Sequence, residues 1–373
     1  MHTAHGSPPS LDLHTLAFLP PLSGLSLSVG KGQCVALLGI GSEHDDLTRL
    51  TDVLAGHAPS YGGQIRVGGE DVTRSPTGQR RLVTLGAHAP LFPHLTLADN
   101  ILFPLRASGK VSAAEGERRM MEALSLAGLD GRRTFKPSDL TPEQNLRGLL
   151  ARALVMRPEV LVLNRPFNQL DHTATTRMLA LLEKLQRAIG LSTLLLTRNR
   201  TEALMAGETI GILENGLLLQ LASPQELLSR PAQESVAVAF GEANVLTGKV
   251  LYAEDDIAEL RLPTGETVEA MAAPGLEEQD LANICIAPDR LSVMFPRQIS
   301  SSPEENDMLV CTLVSARHVG TAIHMRFRMR DGGEIIAHRP PVHTAKDLEP
   351  GRIALLAWQT ANATAFPMDQ KSG

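Results

Sequence analysis

The sequence has 373 residues, of which 43% are hydrophobic and 20% charged, and this composition is typical of a globular protein of two or three domains. The formal net charge of −6 and the aromatic content of 3% argue against a nucleic-acid-binding protein, because they supply neither a general attraction for phosphate nor many stacking surfaces. No run of about 18 apolar residues occurs, so we expect no direct membrane insertion. Three scattered cysteines without metal-ligand spacing favour a reducing, cytoplasmic setting and no metal site.

The first elements in chain order form a strand, a glycine turn and a helix. Residues 10–38 include the alternating run LSLSV, and the turn Gly30-Lys31-Gly32 after it predicts a hairpin into the apolar strand Cys34–Leu38. Gly39 and Gly41 close that strand, and a helix begins near Asp46. Many α/β proteins bind a phosphate at such a turn.

The next elements predict a doubly wound α/β domain. Thr141 is a predicted N-cap, with Pro142 at the first helical position and Gln144 completing a capping box. The run Val160–Asn164 is a predicted buried parallel strand, and a helix is predicted over His172–Ile189. Strands and helices alternate in this way through Leu221, which indicates a parallel sheet covered on both faces.

The pattern changes near Gly241. From there to Phe366 the strands are short and regularly spaced, and Asp331-Gly332-Gly333 is a predicted hairpin turn. The polar segment Pro296–Asp307 predicts a break between two halves of this region. We therefore predict one or two small β-barrels after the α/β domain.

Four stretches carry a family resemblance over nearly the whole chain. The sequence resembles the ATP-binding subunits of ABC importers, nearest the polyamine, iron and sugar group with carboxy-terminal OB-like (TOBE-type) regulatory barrels. The matching stretches are LFPHLTLADNI (Leu91–Ile101), RGLLARALVMRPEVLVL (Arg147–Leu163), LASPQELLSRP with FGEANVL, and IAPDRL (Ile286–Leu291). The resemblance implies an ABC-type P-loop NTPase domain over residues 1–240, with a helical subdomain at about 90–157, and an OB-like regulatory β domain over 241–373.

The resemblance also implies partners and cofactors. Two such domains enclose ATP and magnesium between the P-loop of one chain and the signature motif of the other. They dock under transmembrane permease subunits at the inner face of the cell membrane, as a homodimer or as a heterodimer with a paralogous ATPase. For this chain we expect ATP and magnesium by resemblance only.

The P-loop equivalent, which runs from Gly39 through Gly41 and Ser42, departs from the family pattern GxxxxGK[ST]. Counting forward from Gly39 places the family lysine at Asp45, whereas counting back from Gly56 places it at Leu47, with Thr48 at the hydroxyl position. Neither count gives a lysine, and the two-residue difference predicts a longer loop. We expect Asp45 or Asp46 to cap the helix.

The other nucleotide-binding motifs also differ from the family. Only the D-loop, which ends in Asp171, stays close to its pattern, and the adenine-stacking aromatic falls near Leu16, with Phe18 as the substitute. The remaining equivalents are Ala87 for the glutamine-loop glutamine, Thr141, Pro142, Glu143 and Gln144 for the signature, Asn164 and Arg165 for the Walker B acids, and Arg198 for the switch histidine. Asn contributes no charge and Arg cannot act as a base, so we predict no catalytic residue.

The changed charges suggest compensation. We predict that Arg165 and Arg198 pair with Glu43, Asp45 or Asp46 across the former phosphate pocket, in preference to forming a new anion site. Three functions stay open. The first is a non-catalytic structural or regulatory subunit of a polyamine-type import system. The second is an active importer ATPase, and the third is a ligand-sensing dimeric binding module.

Overall fold

The computed structural model of the chain describes residues 8–20, 24–41, 45–86, 90–296, 308–341 and 348–368. The chain divides into two compact units, one ending at Pro224 and the other beginning at Gln225. The first unit is an α/β domain, and the second is built mainly from β-strands.

The first unit contains the following described elements. Its strands are β1 (Leu11–Ala17), β2 (Leu25–Val29), β3 (Cys34–Ile40), β4 (Gly62–Val67), β5 (Glu70–Asp71), β6 (Leu82–Leu85), β7 (Val160–Asn164), β8 (Thr193–Thr197), β9 (Thr209–Glu214) and β10 (Leu217–Ala222). Its helices are α1 (Asp46–Ala55), α2 (Leu97–Ser108), α3 (Ala113–Leu126), α4 (Pro142–Leu154), α5 (His172–Ile189) and α6 (Arg200–Ala206).

A six-stranded sheet forms the centre of the first unit, in the order β10-β9-β3-β8-β7-β6. All of its pairs are parallel except β10 with β9. Every residue of β7 and β8 is buried, as expected for strands covered on both faces. The predicted α/β architecture is therefore confirmed. Because β3, β8 and β7 are adjacent and parallel, their carboxyl ends meet at one edge of the sheet.

The predicted hairpin at Gly30-Lys31-Gly32 is wrong. β2 pairs with β1 in a separate four-stranded sheet, of order β2-β1-β4-β5, and the turn carries the chain from that sheet to the central one. The physical reason is burial. β2 alternates between buried and exposed residues and so suits a sheet with one solvated face, whereas β3 is buried along nearly its whole length.

The predicted helix signals are confirmed. The Thr141 and Gln144 side chains form the reciprocal capping box at the start of α4, and Pro142 occupies its first turn. The Thr96 hydroxyl accepts from the backbone N–H of Asp99 at 3.1 Å. Helix α5 has the predicted bounds. In the described part of the chain, no helix combines the length and apolarity needed to cross a membrane.

The second unit consists of a closed barrel and a five-stranded sheet. Helix α7 (Pro224–Ser229) leads into it and α8 (Glu234–Gly241) follows. The strands are β11 (Asn244–Glu254), β12 (Ile257–Arg261), β13 (Thr267–Ala272), β14 (Leu281–Ile286), β15 (Ser292–Met294), β16 (Leu309–Val319), β17 (Ala322–Arg328), β18 (Glu334–Arg339), β19 (Ile353–Ala357) and β20 (Ala363–Pro367).

The two halves of this unit are interleaved along the chain. The barrel has the order β11-β12-β13-β20-β14, so β20 returns from the chain end to close it, and the open sheet has the order β15-β19-β16-β17-β18. One hydrophobic cluster joins both, including Val250, Ile284 and Phe327. The hairpin at Asp331-Gly332-Gly333 is confirmed between β17 and β18, and most of the predicted break at Pro296–Asp307 lies outside the described residues.

The boundary between units falls earlier than the predicted one after residue 240. Helix α8 lies within the second unit, because its Ala237 packs against Cys285 and Phe366 of the barrel. The apolar face of α8 is buried against the barrel. The change in composition after Gly241, from which the boundary was predicted, gives no information about this contact.

The three cysteines are all buried, and burial raises the pKa of each thiol, Cys34, Cys285 and Cys311, to about 12. Since the thiolate is the reactive form, we expect a thiol reagent at pH 8 to label the folded chain very slowly and the urea-unfolded chain rapidly at all three positions. Mass spectrometry counts the labels. Rapid labelling of a folded-state thiol would contradict the burial described here.

Candidate functional site

The N-terminus of α1 carries two carboxylates. Asp45 is the N-cap, and its Oδ1 accepts from the backbone N–H of Thr48 at 3.4 Å. Asp46 is the first helical residue, is 1% exposed, and accepts from the backbone N–H of Leu47 at 2.9 Å. The predicted capping role is thus confirmed for Asp45. Helix N-terminal N–H groups, which elsewhere bind anions, are here engaged by the protein's own acids.

The end of β7 supplies the first arginine. Arg165 follows Asn164 directly and has a left-handed backbone conformation, with φ of 47°, at the strand end. Its Nη2 lies 2.8 Å from Asp45 Oδ2 and 2.8 Å from the Thr48 hydroxyl. Asn164 Nδ2 lies 3.2 Å from the same hydroxyl. The Thr48 hydroxyl oxygen therefore contacts the last residue of β7, Asn164, and the residue after it, Arg165.

The end of β8 supplies the second arginine. Arg198 Nη2 lies 3.2 Å from Asp46 Oδ1, and Nη1 donates to the backbone carbonyl of Gly41 at 2.6 Å. The parallel order β3-β8-β7 brings both arginines to the turn that follows β3. The predicted Arg–carboxylate cluster is confirmed for Asp45 and Asp46, while Glu43 and Ser42 lie outside the described residues.

The two carboxyl groups respond to opposite effects. Burial pushes the pKa of Asp45 upward, but hydrogen bonds from Thr48 and Arg165 outweigh burial, and its pKa is lowered. Burial dominates at Asp46 and raises its pKa, although Arg198 and the Leu47 N–H oppose the shift. Asp45 is therefore the better-solvated, firmly ionised partner, and Asp46 depends on Arg198 for compensation.

These residues do not fit a magnesium triphosphate. A bound triphosphate would place several negative charges beside the Asp45 and Asp46 carboxylates, which costs free energy at close range. Leu47 is an uncharged side chain that is fully buried in the core, so it cannot compensate the charge of a phosphate. Arg165 and Asn164 already occupy the Thr48 hydroxyl, although the buried Asn164 Oδ1 accepts no hydrogen bond from the described residues.

The start of α4, which the resemblance matches to the signature motif, also carries internal ion pairs. The Glu143 carboxylate lies 2.9 Å from Arg147 and 2.6 Å from Arg177. The hydrogen bond from Arg177 is the main cause of its lowered pKa, with Arg147 adding to it against burial. The spacing of Glu143 and Arg147 is readable from the sequence as an i,i+4 pair. Arg177 is not, because it reaches Glu143 from α5 through the tertiary fold.

The other motif positions that the structure describes make contacts within the protein. Asp171 of the D-loop equivalent caps α5, its Oδ1 accepting from the Ala174 N–H at 2.7 Å. Leu16 and Phe18 are completely buried in the core, so neither offers a ring face to adenine. Ala87 lies outside the described residues. No group of three or more metal-ligating side chains occurs among the residues that the structure describes.

Loss of Arg198 leaves a buried charge unpaired. The Asp46 side chain is 2% exposed, so we expect Arg198→Met to lower the free energy of unfolding by about 3 kcal/mol in urea denaturation at pH 7. Adding Asp46→Asn should restore part of this loss, because the uncompensated charge is removed. As a control, Arg187→Met in a 78% exposed pair should cost under about 1 kcal/mol. Equal costs for the two single variants would contradict a buried Asp46–Arg198 pair.

The two acids should respond to pH with opposite sign. Because its pKa is lowered in the folded state, Asp45 stabilises the fold at pH values above its unfolded-state pKa. The Asp45→Asn variant should therefore have a free energy of unfolding lower than that of wild type by under about 1 kcal/mol. This difference should vanish as the pH falls through the folded-state pKa of Asp45. The raised pKa of Asp46 stabilises the fold below its unfolded-state pKa, and this contribution is lost as pH rises. Asp46→Asn should therefore gain stability relative to wild type with rising pH. Unfolding curves between about pH 3 and 7 measure both, and parallel profiles would refute the assignment.

Comparison with known proteins places the chain in a family. The model of the family described as "ABC transporter" matches residues 22–168. The chain is 32% identical to the spermidine/putrescine import ATP-binding protein PotA of Rubrobacter xylanophilus over 337 residues, 90% of this chain and 86% of that protein. It is 31% identical to the Fe(3+) ions import ATP-binding protein FbpC of Brucella melitensis biotype 1, over 83% of this chain and 84% of that protein.

Among solved structures, a dimeric bacterial ABC transporter cassette superposes with a TM-score of 0.49 and 22% identity, covering 57% of this chain and 98% of that one. The two importer subunits match the chain through both of its units. On the strength of these relatives, the chain belongs to the ABC transporter family, among the ATP-binding subunits of importer type.

Proposed function

We propose that the chain is a non-catalytic member of its family, kept as a structural or regulatory subunit of an import system. The observation that carries the proposal is the pair of ion pairs, Asp45–Arg165 and Asp46–Arg198, at the N-terminus of α1. They put carboxylates where the family binds phosphate and hold the two residues that replace the Walker B glutamate and the switch histidine.

The Thr48 contacts support the backward count of the P-loop. A P-loop hydroxyl and the Walker B aspartate share one magnesium ion in working enzymes, so they must be neighbours. Thr48 Oγ1 lies 3.2 Å from Asn164 at the aspartate position, and this distance supports Thr48 as the hydroxyl equivalent and Leu47 as the lysine equivalent. On this basis the loop is two residues longer than the family pattern, and its lysine is replaced by a core leucine.

The several losses act together. An electrostatic or general-base group commonly raises the catalytic rate by about a hundredfold to ten-thousandfold. This chain changes groups of both kinds. A dimer with an intact paralogue would have two ATP sites, each formed by the P-loop of one chain and the signature motif of the other. One of these sites would contain the altered P-loop of this chain, and the other would contain its altered signature helix. Glu143, paired with Arg147 and Arg177, would also face a phosphate with a carboxylate.

An active importer ATPase is the alternative, and one observation favours it. The neighbouring placement of Thr48 and Asn164 is the geometry that a magnesium site needs, and the buried Asn164 Oδ1 remains an available acceptor. An Asn oxygen binds magnesium in the active site of protein kinases. A shift of Arg165 away from Thr48 would be required before nucleotide could bind.

The ATP test is direct. We expect the purified full chain, with magnesium and up to about 1 mM ATP, to show no saturable nucleotide binding by calorimetry and no phosphate release above a protein-free blank. The same assay on the PotA relative from Rubrobacter xylanophilus is the positive control. Micromolar binding together with phosphate release would overturn the proposal in favour of the active ATPase.

Docking on a permease, at the inner face of the cell membrane, is the second part of the proposal. The helical subdomain presents an aromatic pair, Phe92 and Phe103, with ring centroids 4.7 Å apart and the Arg152 guanidinium 5.6 Å from the Phe92 ring. Phe103 is 46% exposed in a chain with few aromatics, as at many protein contact sites. The names of the relatives suggest a polyamine or iron(III) system, and we propose a polyamine-like one.

Docking can be tested with a matched pair of variants. We expect Phe103→Ala to weaken co-purification with permease subunits from the same gene neighbourhood by at least about tenfold, since buried aromatics dominate interface energies. Met121→Ala is the control, because Met121 lies in the same subdomain and is also 46% exposed. Equal retention of both variants would place the contact elsewhere, and failure of the wild-type chain to bind would refute docking.

A further inference from the structure

Two glutamates stand side by side on the outer face of the closed barrel. Glu259 of β12 lies directly opposite Glu269 of β13 in the antiparallel register. Their neighbours Leu260 and Ala270 are fully buried in the core, so both carboxylates point outward. Opposed residues on one face have Cβ atoms about 5 Å apart, and like charges at that spacing are destabilising.

The described residues do not neutralise this pair. Glu259 makes no ion pair or hydrogen bond with any side chain in the described part of the protein, and Glu269 Oε2 accepts only the Thr360 hydroxyl, at 2.8 Å. Arg261, two residues along β12 on the same face, stands opposite Lys249 of β11 instead of a carboxylate. Neither carboxylate therefore has an ion-pair partner among the described residues.

A tryptophan stands beside the two glutamates. Trp358, the single tryptophan of the sequence, donates from Nε1 to the backbone carbonyl of Glu269 at 2.9 Å, which holds the indole against β13. A cavity of about 370 Å³ opens here, lined by Glu259, Thr267, Val268, Glu269, Trp358 and Thr360. Its walls thus combine an aromatic ring, two hydroxyls and two carboxylates, whereas the Val268 side chain belongs to the barrel core.

We propose that this cavity binds an aliphatic ammonium ion. The indole face attracts an organic cation, and the carboxylates and hydroxyls accept hydrogen bonds from its N–H groups. The volume lies at the lower end of the range for small-molecule sites. An ammonium ion between Glu259 and Glu269 would also remove their repulsion, whereas an anion would increase it. The site is built entirely from residues of the second unit, so its test is independent of ATP binding.

The tryptophan provides the measurement, because no other indole contributes to the fluorescence. We expect n-butylammonium chloride to produce a saturable change in Trp358 emission at constant ionic strength, with a dissociation constant on the order of 1 mM. Sodium chloride at the same ionic strength should produce none. A saturable response to magnesium with none to butylammonium would overturn the proposal, since it would indicate a metal site that uses the carboxylates alone. No response to either cation would also overturn it.

Variants separate the site from general charge effects. The double change Glu259→Gln and Glu269→Gln should weaken butylammonium binding by at least about tenfold, because both charged acceptors are lost. Glu278→Gln, an exposed acid of the same unit outside the cavity, should bind as wild type does. Equal binding by the double variant and wild type would refute the site.

Stability offers a second readout that does not require the ligand. Without ligand, Glu259→Gln should raise the melting temperature, because it relieves the opposed charges, and butylammonium should raise the melting temperature of wild type but not of the double variant. A fall in the melting temperature of ligand-free Glu259→Gln would show that the pair is already compensated, and the proposal would fail.

Discussion

A carboxylate almost removed from water stands at the N-terminus of α1, and the arrangement around it depends on how that charge is compensated. Asp46 is 1% exposed, and a carboxylate in such surroundings needs hydrogen-bond donors and an opposite charge. The Leu47 N–H and the Arg198 guanidinium provide them. Arg198 in turn holds the carbonyl of Gly41, so the turn after β3, the start of α1 and the end of β8 are joined by one side chain.

The same arrangement occurs at a second helix start. At the start of α1 and at the start of α4, a carboxylate of the protein lies at a helix N-terminus, and an arginine from another element pairs with it. Asp45 meets Arg165 across 120 positions of sequence, and Glu143 meets Arg177 across 34. The caps at Asp45 and Thr141 satisfy backbone donors at both helix starts with side chains of the protein.

The second unit carries two neighbouring carboxylates on the outer face of its barrel. Its barrel closes through β20, the last described strand, and Glu259 stands opposite Glu269 without an ion pair to either carboxylate among the described residues. The carboxylates at the start of α1 are thus paired with arginines of the protein, while the two barrel carboxylates are not paired in the part of the chain that the structure describes. Proteins commonly relieve such local conflicts unless a ligand or partner maintains them.

Local signals in the sequence determined much of this protein. Periodicity predicted α5 and β7 with the observed bounds, because an apolar stripe or a continuous apolar run depends only on near neighbours. The caps at Asp45 and Thr141 followed from residue type and spacing for the same reason. The departures from the family motifs were also visible in the sequence, and the Arg–carboxylate pairing could be inferred from the reciprocal change of charges.

Only the tertiary structure decided the rest. Which carboxylate met which arginine depended on the parallel order β3-β8-β7 and on the left-handed turn at Arg165. The separation of β2 from β3, the place of α8 in the second unit and the return of β20 to the barrel all depended on long-range packing that no local pattern records. The register of β12 against β13 set Glu259 beside Glu269, because strand pairing is chosen by the buried face, and the exposed charges follow it.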